Sequence, residues 1–149
     1  MDLYAELMEQ MAGRCPGLEL REYEPMARHT SFGVGGPVRL MALPRTADEA
    51  AQVVRAAAEL GLRPFFMGNG SNLLVADGGW DGLIVKTFDG LSDLEGEGNT
   101  LRAGSGLLLS RLANAALDRG LTGLEFAHGI PGSLGGGVTM NAGAYGGEL

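Results

Sequence analysis

The sequence contains little of several residue types, and each shortage argues against a class of protein. Cys15 is the only cysteine among 149 residues, so no disulfide can form within the chain and a zinc site is implausible. Lys86 is the only lysine, and the formal net charge of −7 argues against a nucleic-acid or anionic-membrane partner. No apolar run approaches the ~20 residues of a membrane span, and the acidic start does not resemble a signal peptide. These features predict a cytoplasmic protein.

Glycine, by contrast, is abundant, with 26 residues in the chain. Its share is more than twice the usual value of about 7%. Collagen is excluded because the glycines follow no three-residue period, and disorder is excluded because 45% of the residues are hydrophobic. The composition therefore predicts a globular protein whose backbone often turns sharply or approaches another group closely.

Hydrophobic periodicity predicts an α+β chain whose character changes near residue 67. Thr46 and Glu49 form a capping-box pattern at the start of the most distinct helix, which Gly61 ends. The strands on either side of this helix are typical of a parallel crossover. The secondary structure of two runs is left open. Residues 18–23 are either a strand or a connector, and residues 124–128 are not assigned. The predicted helices cover 2–12, 46–60 and 107–119, and the predicted strands cover 38–42, 63–67, 73–76, 82–87 and 100–103.

A first glycine segment, 68–75, directly follows the apolar strand that ends at Met67. Consecutive small residues can turn several backbone N–H groups toward one anion, and Ser71 and Asn72 add side-chain donors. A plain turn is the alternative, because Asn-Gly is a common turn pair. The segment is no Rossmann fingerprint, since Leu73 replaces the third glycine and the residues that follow do not begin a helix.

A second glycine segment covers 129–137 and is followed by a further small-residue run over 141–146. Ile130, Leu134 and Val138 are interspersed among its glycines, which is unusual for a flexible linker. The pattern favours ordered backbone beside a ligand, and a flexible loop remains the alternative.

Four segments together resemble the UDP-N-acetylenolpyruvoylglucosamine reductase family of flavoenzymes. They are His29-Thr30-Ser31-Phe32-Gly33-Val34-Gly35-Gly36, Gly68-Asn69-Gly70-Ser71-Asn72-Leu73-Leu74, the run from Gly123 to Gly136, and Asn141-Ala142-Gly143-Ala144-Tyr145-Gly146. Each segment alone is weak evidence for the family, but all four occur in the order in which the family has them. The second and third also resemble the wider vanillyl-alcohol-oxidase-type flavin fold.

The resemblance implies a two-subdomain, α+β FAD-binding fold of that type. A first subdomain would cover residues 1–67, and a second, incomplete one would cover 68–149, with no substrate domain. FAD would be reduced by NADPH and would pass a hydride to the enolpyruvyl ether of a UDP-sugar, in the synthesis of peptidoglycan precursors. The cofactor-binding residues implied by the resemblance are Gly68, Asn69, Gly70, Ser71, Asn72, Leu73, Ile130, Pro131, Gly132, Ser133, Gly136, Ala142, Gly143 and Ala144, with Tyr145 on the substrate side.

No catalytic residue is assigned, because the family's proton donor and its carboxylate-binding arginine lie later in the sequence than Leu149. This stretch of chain is therefore expected to lack turnover. His128 is more typical of a packed histidine than of an acid catalyst, and His29 has no obvious carboxylate partner in the sequence. The alternatives are a flavin oxidase or dehydrogenase of the same fold, and a non-catalytic module that assembles through an unpaired sheet edge.

Overall fold

The computed structural model describes residues 2–149, and its largest unit is a four-stranded sheet. Along the sheet the order is β1–β2–β4–β3, in which β1 is antiparallel to β2 and the other neighbours are parallel. The first elements are α1 (Leu3–Arg14), β1 (Glu19–Pro25), a 3-10 turn (Met26–Arg28), β2 (Pro37–Leu43), α2 (Ala47–Glu59), β3 (Pro64–Met67) and β4 (Trp80–Lys86).

The predicted crossover is present, because β2, α2 and β3 follow one another and the two strands run parallel. The strands are not neighbours, since β4 fills the place between them. One of the two central strands of this sheet, β4, therefore comes from beyond residue 67, where the subdomain boundary is predicted. That division stays a prediction, while the sheet itself extends to residue 86.

Each face of the sheet has its own apolar cluster. On one face α1 and α2 pack against the strands, with Leu7, Val53, Leu40 and Leu83 fully or almost fully buried. The Thr46 hydroxyl accepts a hydrogen bond from the Glu49 amide at 3.1 Å and so caps α2 as the sequence predicts. Burial of this apolar stripe holds the helices on the sheet.

The opposite face is covered by loops and not by helices. Met26, Met41, Met67 and Ile84 are buried there, and residues 73–75 pack over them. The strand predicted over 73–76 is therefore wrong: Leu73 and Val75 cover the face of the sheet and do not join its edge. These covering residues are the last part of the first glycine segment.

The remainder of the chain is built from short elements. They are β5 (Leu94–Glu97), β6 (Thr100–Ala103), α3 (Leu109–Asp118), a 3-10 turn (Glu125–Gly129), α4 (Leu134–Met140), β7 (Gly143–Ala144) and β8 (Gly147–Glu148). α4 was not predicted, because three of its seven residues are glycine, which disfavours a helix. Tertiary contacts hold it in place: Leu134 packs against the buried cluster that includes Leu109, and the Leu134 amide donates to the Leu107 carbonyl.

Two further observations bear on the sequence predictions. No helix within residues 2–149 is long and apolar enough to cross a membrane. In the sheet, β1 and β3 are edge strands that each pair on one side only among the described residues. Assembly through such an edge, and a cytoplasmic location, stay predictions.

Candidate functional site

The two glycine segments of the sequence meet around one cavity of about 550 Å³. Residues 68–73 form one wall at the end of β3, and the stretch from Ile130 to Ala142 forms the other. The remaining lining residues lie at the sheet edge and beside the α3–α4 junction: Phe65, Phe66, Met67, Thr87 and Ser105. The structure thus unites two segments that are 60 positions apart in the chain, as the Ser71–Pro131 hydrogen bond between them shows.

The 68–73 loop lines the cavity with backbone that is largely free of internal hydrogen bonds. Among residues 2–149 the five amides of residues 68–72 donate to no other group of the chain, while Leu73 closes the turn at residues 71–72. Gly70 lies at φ +70°, where a side chain would be strained, and its carbonyl accepts a hydrogen bond from the Ser31 amide at 3.1 Å. Clustered free amides of this kind form a concavity that favours an anion, and in particular a phosphate.

The facing segment is fixed by backbone hydrogen bonds to the start of α3. The Leu109 amide donates to the Gly132 carbonyl at 3.1 Å, and the Leu134 amide donates to the Leu107 carbonyl at 2.7 Å. The N-terminus of α3 has no side-chain cap, and the Gly132 carbonyl accepts a hydrogen bond from one of its free amides instead. This wall of the cavity is ordered and does not behave as a flexible loop.

Ser133 carries the one buried, unpartnered hydroxyl among the described residues. The residue is 1% exposed, and its Oγ has no hydrogen-bond partner within the chain. A Cβ on Gly68 would overlap this Oγ, so the glycine is required for the two walls to approach each other. A buried hydroxyl without a partner is costly, and this one lies where the two walls touch, beside Gly68.

The rest of the lining is apolar or uncharged. Phe65 and Phe66 are 44% and 53% exposed, and Met140 is 61% exposed, all beside the cavity. None of the lining residues is charged. The cavity thus offers free amides at one wall and exposed apolar side chains near it, which fits a ligand with a diphosphate and a large planar ring.

FAD is such a ligand, and the residues present fit it. The free amides suit the diphosphate, and the apolar side chains suit the ring system. With no titratable side chain in the lining, these walls can bind, orient and exclude water, but they cannot donate or accept the proton of a reaction.

Most of the predicted cofactor residues line this cavity. Gly143 and Ala144 lie outside its wall, in β7, and Tyr145 follows them in the tight turn to β8 at φ +53° and 97% exposed. Their roles stay predictions. The predicted residues in the wall are Gly68, Asn69, Gly70, Ser71, Asn72, Leu73, Ile130, Pro131, Gly132, Ser133, Gly136 and Ala142.

Several lining residues were missed by the sequence analysis, namely Phe65, Phe66, Thr87, Ser105, Thr139 and Met140. Phe65 and Phe66 belong to the strand predicted over residues 63–67, yet β3 is an edge strand and both side chains are exposed. No local sequence signal distinguishes an edge strand here, because the position of β3 in the sheet depends on its pairing with β4, which comes later in the chain.

His29 also differs from expectation, because it does have a carboxylate partner. Its Nε2 lies 2.8 Å from Oε1 of Glu24, and its Nδ1 lies 3.1 Å from Nζ of Lys86. Burial acts to raise the pKa of Glu24, but hydrogen bonds from His29 and Arg21 and the Arg21 charge outweigh it, and the pKa falls below its ordinary value. Burial also lowers the pKa of Lys86, against the opposing charge of Asp89.

Comparison with known proteins agrees with this geometry. Residues 38–149 match the FAD-binding domain family. The chain belongs to that family. Its cofactor is FAD, as the sequence analysis predicts, and both glycine segments lie within the matched part of this FAD-binding domain.

Relatives of the FAD-binding domain point to one group of enzymes. A UDP-N-acetylenolpyruvoylglucosamine reductase of Alkaliphilus metalliredigens is 45% identical over 148 residues, which cover 99% of this chain and 47% of that protein. The crystal structure of the reductase MurB from Thermus caldophilus matches with a TM-score of 0.64 and 33% identity, over 88% of this chain and 44% of the other. The chain thus spans about half the length of the curated relatives it matches.

A more distant structure shows how widely the fold is shared. Glucooligosaccharide oxidase from Acremonium strictum matches with a TM-score of 0.63 at 20% identity, over 93% of this chain and 30% of the oxidase. This likeness concerns the fold alone. The α+β flavin fold expected from the resemblance is confirmed.

Proposed function

We propose that the cavity between residues 68–73 and 130–142 holds FAD in a reductase that converts the enolpyruvyl ether of a UDP-sugar to the corresponding lactyl ether. The observation that carries the proposal is the cluster of free amides over residues 68–72, which shares one uncharged cavity with the second glycine segment. The similarity to reductases over 99% of this chain supports the choice of substrate.

The residues of this chain would bind and orient, while the bound cofactor supplies the redox chemistry. The amides of 68–72 would hold the diphosphate without any basic side chain, because none lines the cavity. The chemistry that bound FAD would supply is hydride transfer from NADPH to the double bond of the substrate. The proton that completes the reduction comes from a group outside the cavity lining, which contains no acid.

A glycine substitution tests the cofactor site directly. Gly68→Ala places a methyl group against Ser133 Oγ, and we expect the Kd for FAD, measured by flavin fluorescence, to rise at least about tenfold. Gly129→Ala is the matched control, because a Cβ there has nothing within 4 Å. The double variant Gly68→Ala/Ser133→Ala removes the overlap and should recover part of the affinity. Equal affinities in all four proteins would contradict this placement of the cofactor.

The substrate is tested with the whole protein that contains this chain. We expect NADPH oxidation to depend on UDP-N-acetylglucosamine enolpyruvate. Turnover with an alcohol or aldose and oxygen, but not with this ether, would instead support an oxidase or dehydrogenase of the same fold. A stable oligomer without flavin affinity would support a non-catalytic module that assembles through the edge of its sheet.

A further inference from the structure

Three ionisable side chains from separate parts of the chain meet beside the sheet face that the first glycine segment covers. Glu24 lies near the end of β1, His29 follows the first 3-10 turn, and Lys86 is the last residue of β4. Glu24 and His29 are 7% and 8% exposed. They form a continuous hydrogen-bonded row, with 2.8 Å between Glu24 and His29 and 3.1 Å between His29 and Lys86.

The chemistry of these groups fixes where the protons lie. The ammonium of Lys86 carries only N–H donors, so it donates to Nδ1 of His29. The ring proton then lies on Nε2, which donates to the Glu24 carboxylate. Arg21 pairs with the same carboxylate at 3.1 Å, and the Phe88 ring lies 5.5 Å from the ammonium. Both ring nitrogens are therefore occupied, and the imidazole is held in one orientation.

The backbone of the same turn supports the 68–73 loop. A Cβ on Gly70 would overlap the carbonyl oxygen of His29, so the loop lies directly against this residue. Two residues further on, the Ser31 amide donates to the Gly70 carbonyl at 3.1 Å. Any displacement of His29 would consequently move the loop that presents the free amides to the cavity.

We propose that His29, held between Glu24 and Lys86, is a positioning residue that sets the 68–73 loop for the diphosphate of FAD. The inference rests on the proposed function, since it takes that loop as the diphosphate site. Neither Glu24, His29 nor Lys86 lines the cavity, so the effect passes through the backbone of the loop and not through contact with the cofactor.

Lysine variants separate positioning from simple stability. Lys86→Met removes the donor to Nδ1, and we expect the Kd for FAD to rise at least about tenfold, as for the loss of a charged hydrogen bond. Lys86→Arg keeps a charged donor and should restore most of the affinity. Lower thermal stability of Lys86→Met with unchanged FAD affinity would overturn the proposal.

Histidine variants test the same row from its centre. His29→Phe removes both hydrogen bonds, and His29→Gln, which retains a donor for Glu24, serves where His29→Phe does not fold. Both should weaken FAD binding by a similar factor, whereas the exposed His128, substituted as His128→Gln, is the matched control and should bind as the wild type does.

A second measurement does not depend on the cofactor. Amide hydrogen exchange at Ser31 reports its bond to Gly70, so we expect faster exchange in the His29 variants than in the wild type. If the wild type did not bind FAD, the proposed function would be wrong. The exchange measurement would still test whether His29 holds the 68–73 loop in place. Unchanged protection of Ser31 in a folded His29 variant would overturn the role of His29.

Discussion

The helix-backed sheet and the cavity region are held together by different means. In the sheet, large side chains such as Leu7, Leu40 and Leu83 are buried between α1, α2 and the strands. Around the cavity, glycines allow backbone to touch backbone, as where Gly70 meets His29 and Gly106 meets Thr87. The first region would be damaged mostly by removing atoms, and the second mostly by adding them.

The largest expected effect comes from the sheet. Leu40→Ala empties part of the buried cluster, and we expect the free energy of unfolding to fall by about 3 kcal/mol. Urea denaturation of the protein measures it. Leu117→Ala is the control, because that leucine is 72% exposed and its truncation should change the free energy of unfolding by less than about 0.5 kcal/mol. Similar losses in both variants would contradict the description of the sheet as a packed core.

A smaller effect is expected where backbone meets backbone. Gly70→Ala combines a positive φ with an overlap on the His29 carbonyl, and we expect a loss of about 2 kcal/mol in the free energy of unfolding. Gly61→Ala isolates the first cause, since Gly61 has φ +71° and nothing within 4 Å of a Cβ. It should cost about 1 kcal/mol. If the two variants lost equal stability, close backbone approach would not be what distinguishes the cavity region.

The smallest effect concerns the junction of the two regions and depends on pH. The pKa of Glu24 is lowered in the folded protein, so its stabilisation is present above the unfolded value near ~4.3 and is lost as the pH falls through the folded value. Glu24→Gln should cost about 1 kcal/mol at pH 7 and flatten the decline in stability between pH ~5 and ~3. Denaturation at a series of pH values measures both.

The exposed Glu22 on the same strand provides the control for this pH series. Glu22→Gln should leave the acid limb of the stability curve as it is in the wild type. If Glu24→Gln left the fall in unfolding free energy at acid pH unchanged, this carboxylate would contribute nothing to joining the sheet to the loop.

The sequence was most informative where local signals and burial agreed. Thr46 and Glu49 predicted the start of α2, and the run 63–67 predicted β3 to within one residue at its start. The strand predicted over 73–76 was wrong because its apolar residues serve to cover a sheet face. α4 was missed because the low helix propensity of glycine is local, whereas the packing of Leu134 against the Leu109 cluster is tertiary.

By itself the sequence determined the α+β class and both glycine segments of the cavity, because glycine spacing and apolar periodicity are local properties, and its resemblance to a flavoenzyme family implied the flavin fold. Tertiary structure alone decided that β4 lies between β2 and β3, that Ser133 is buried against Gly68, and that Glu24, His29 and Lys86 form one row. Apart from the Glu24–His29 bond, these relations join residues far apart in the chain, and only the packing of the sheet and its covering loops brings them within contact distance.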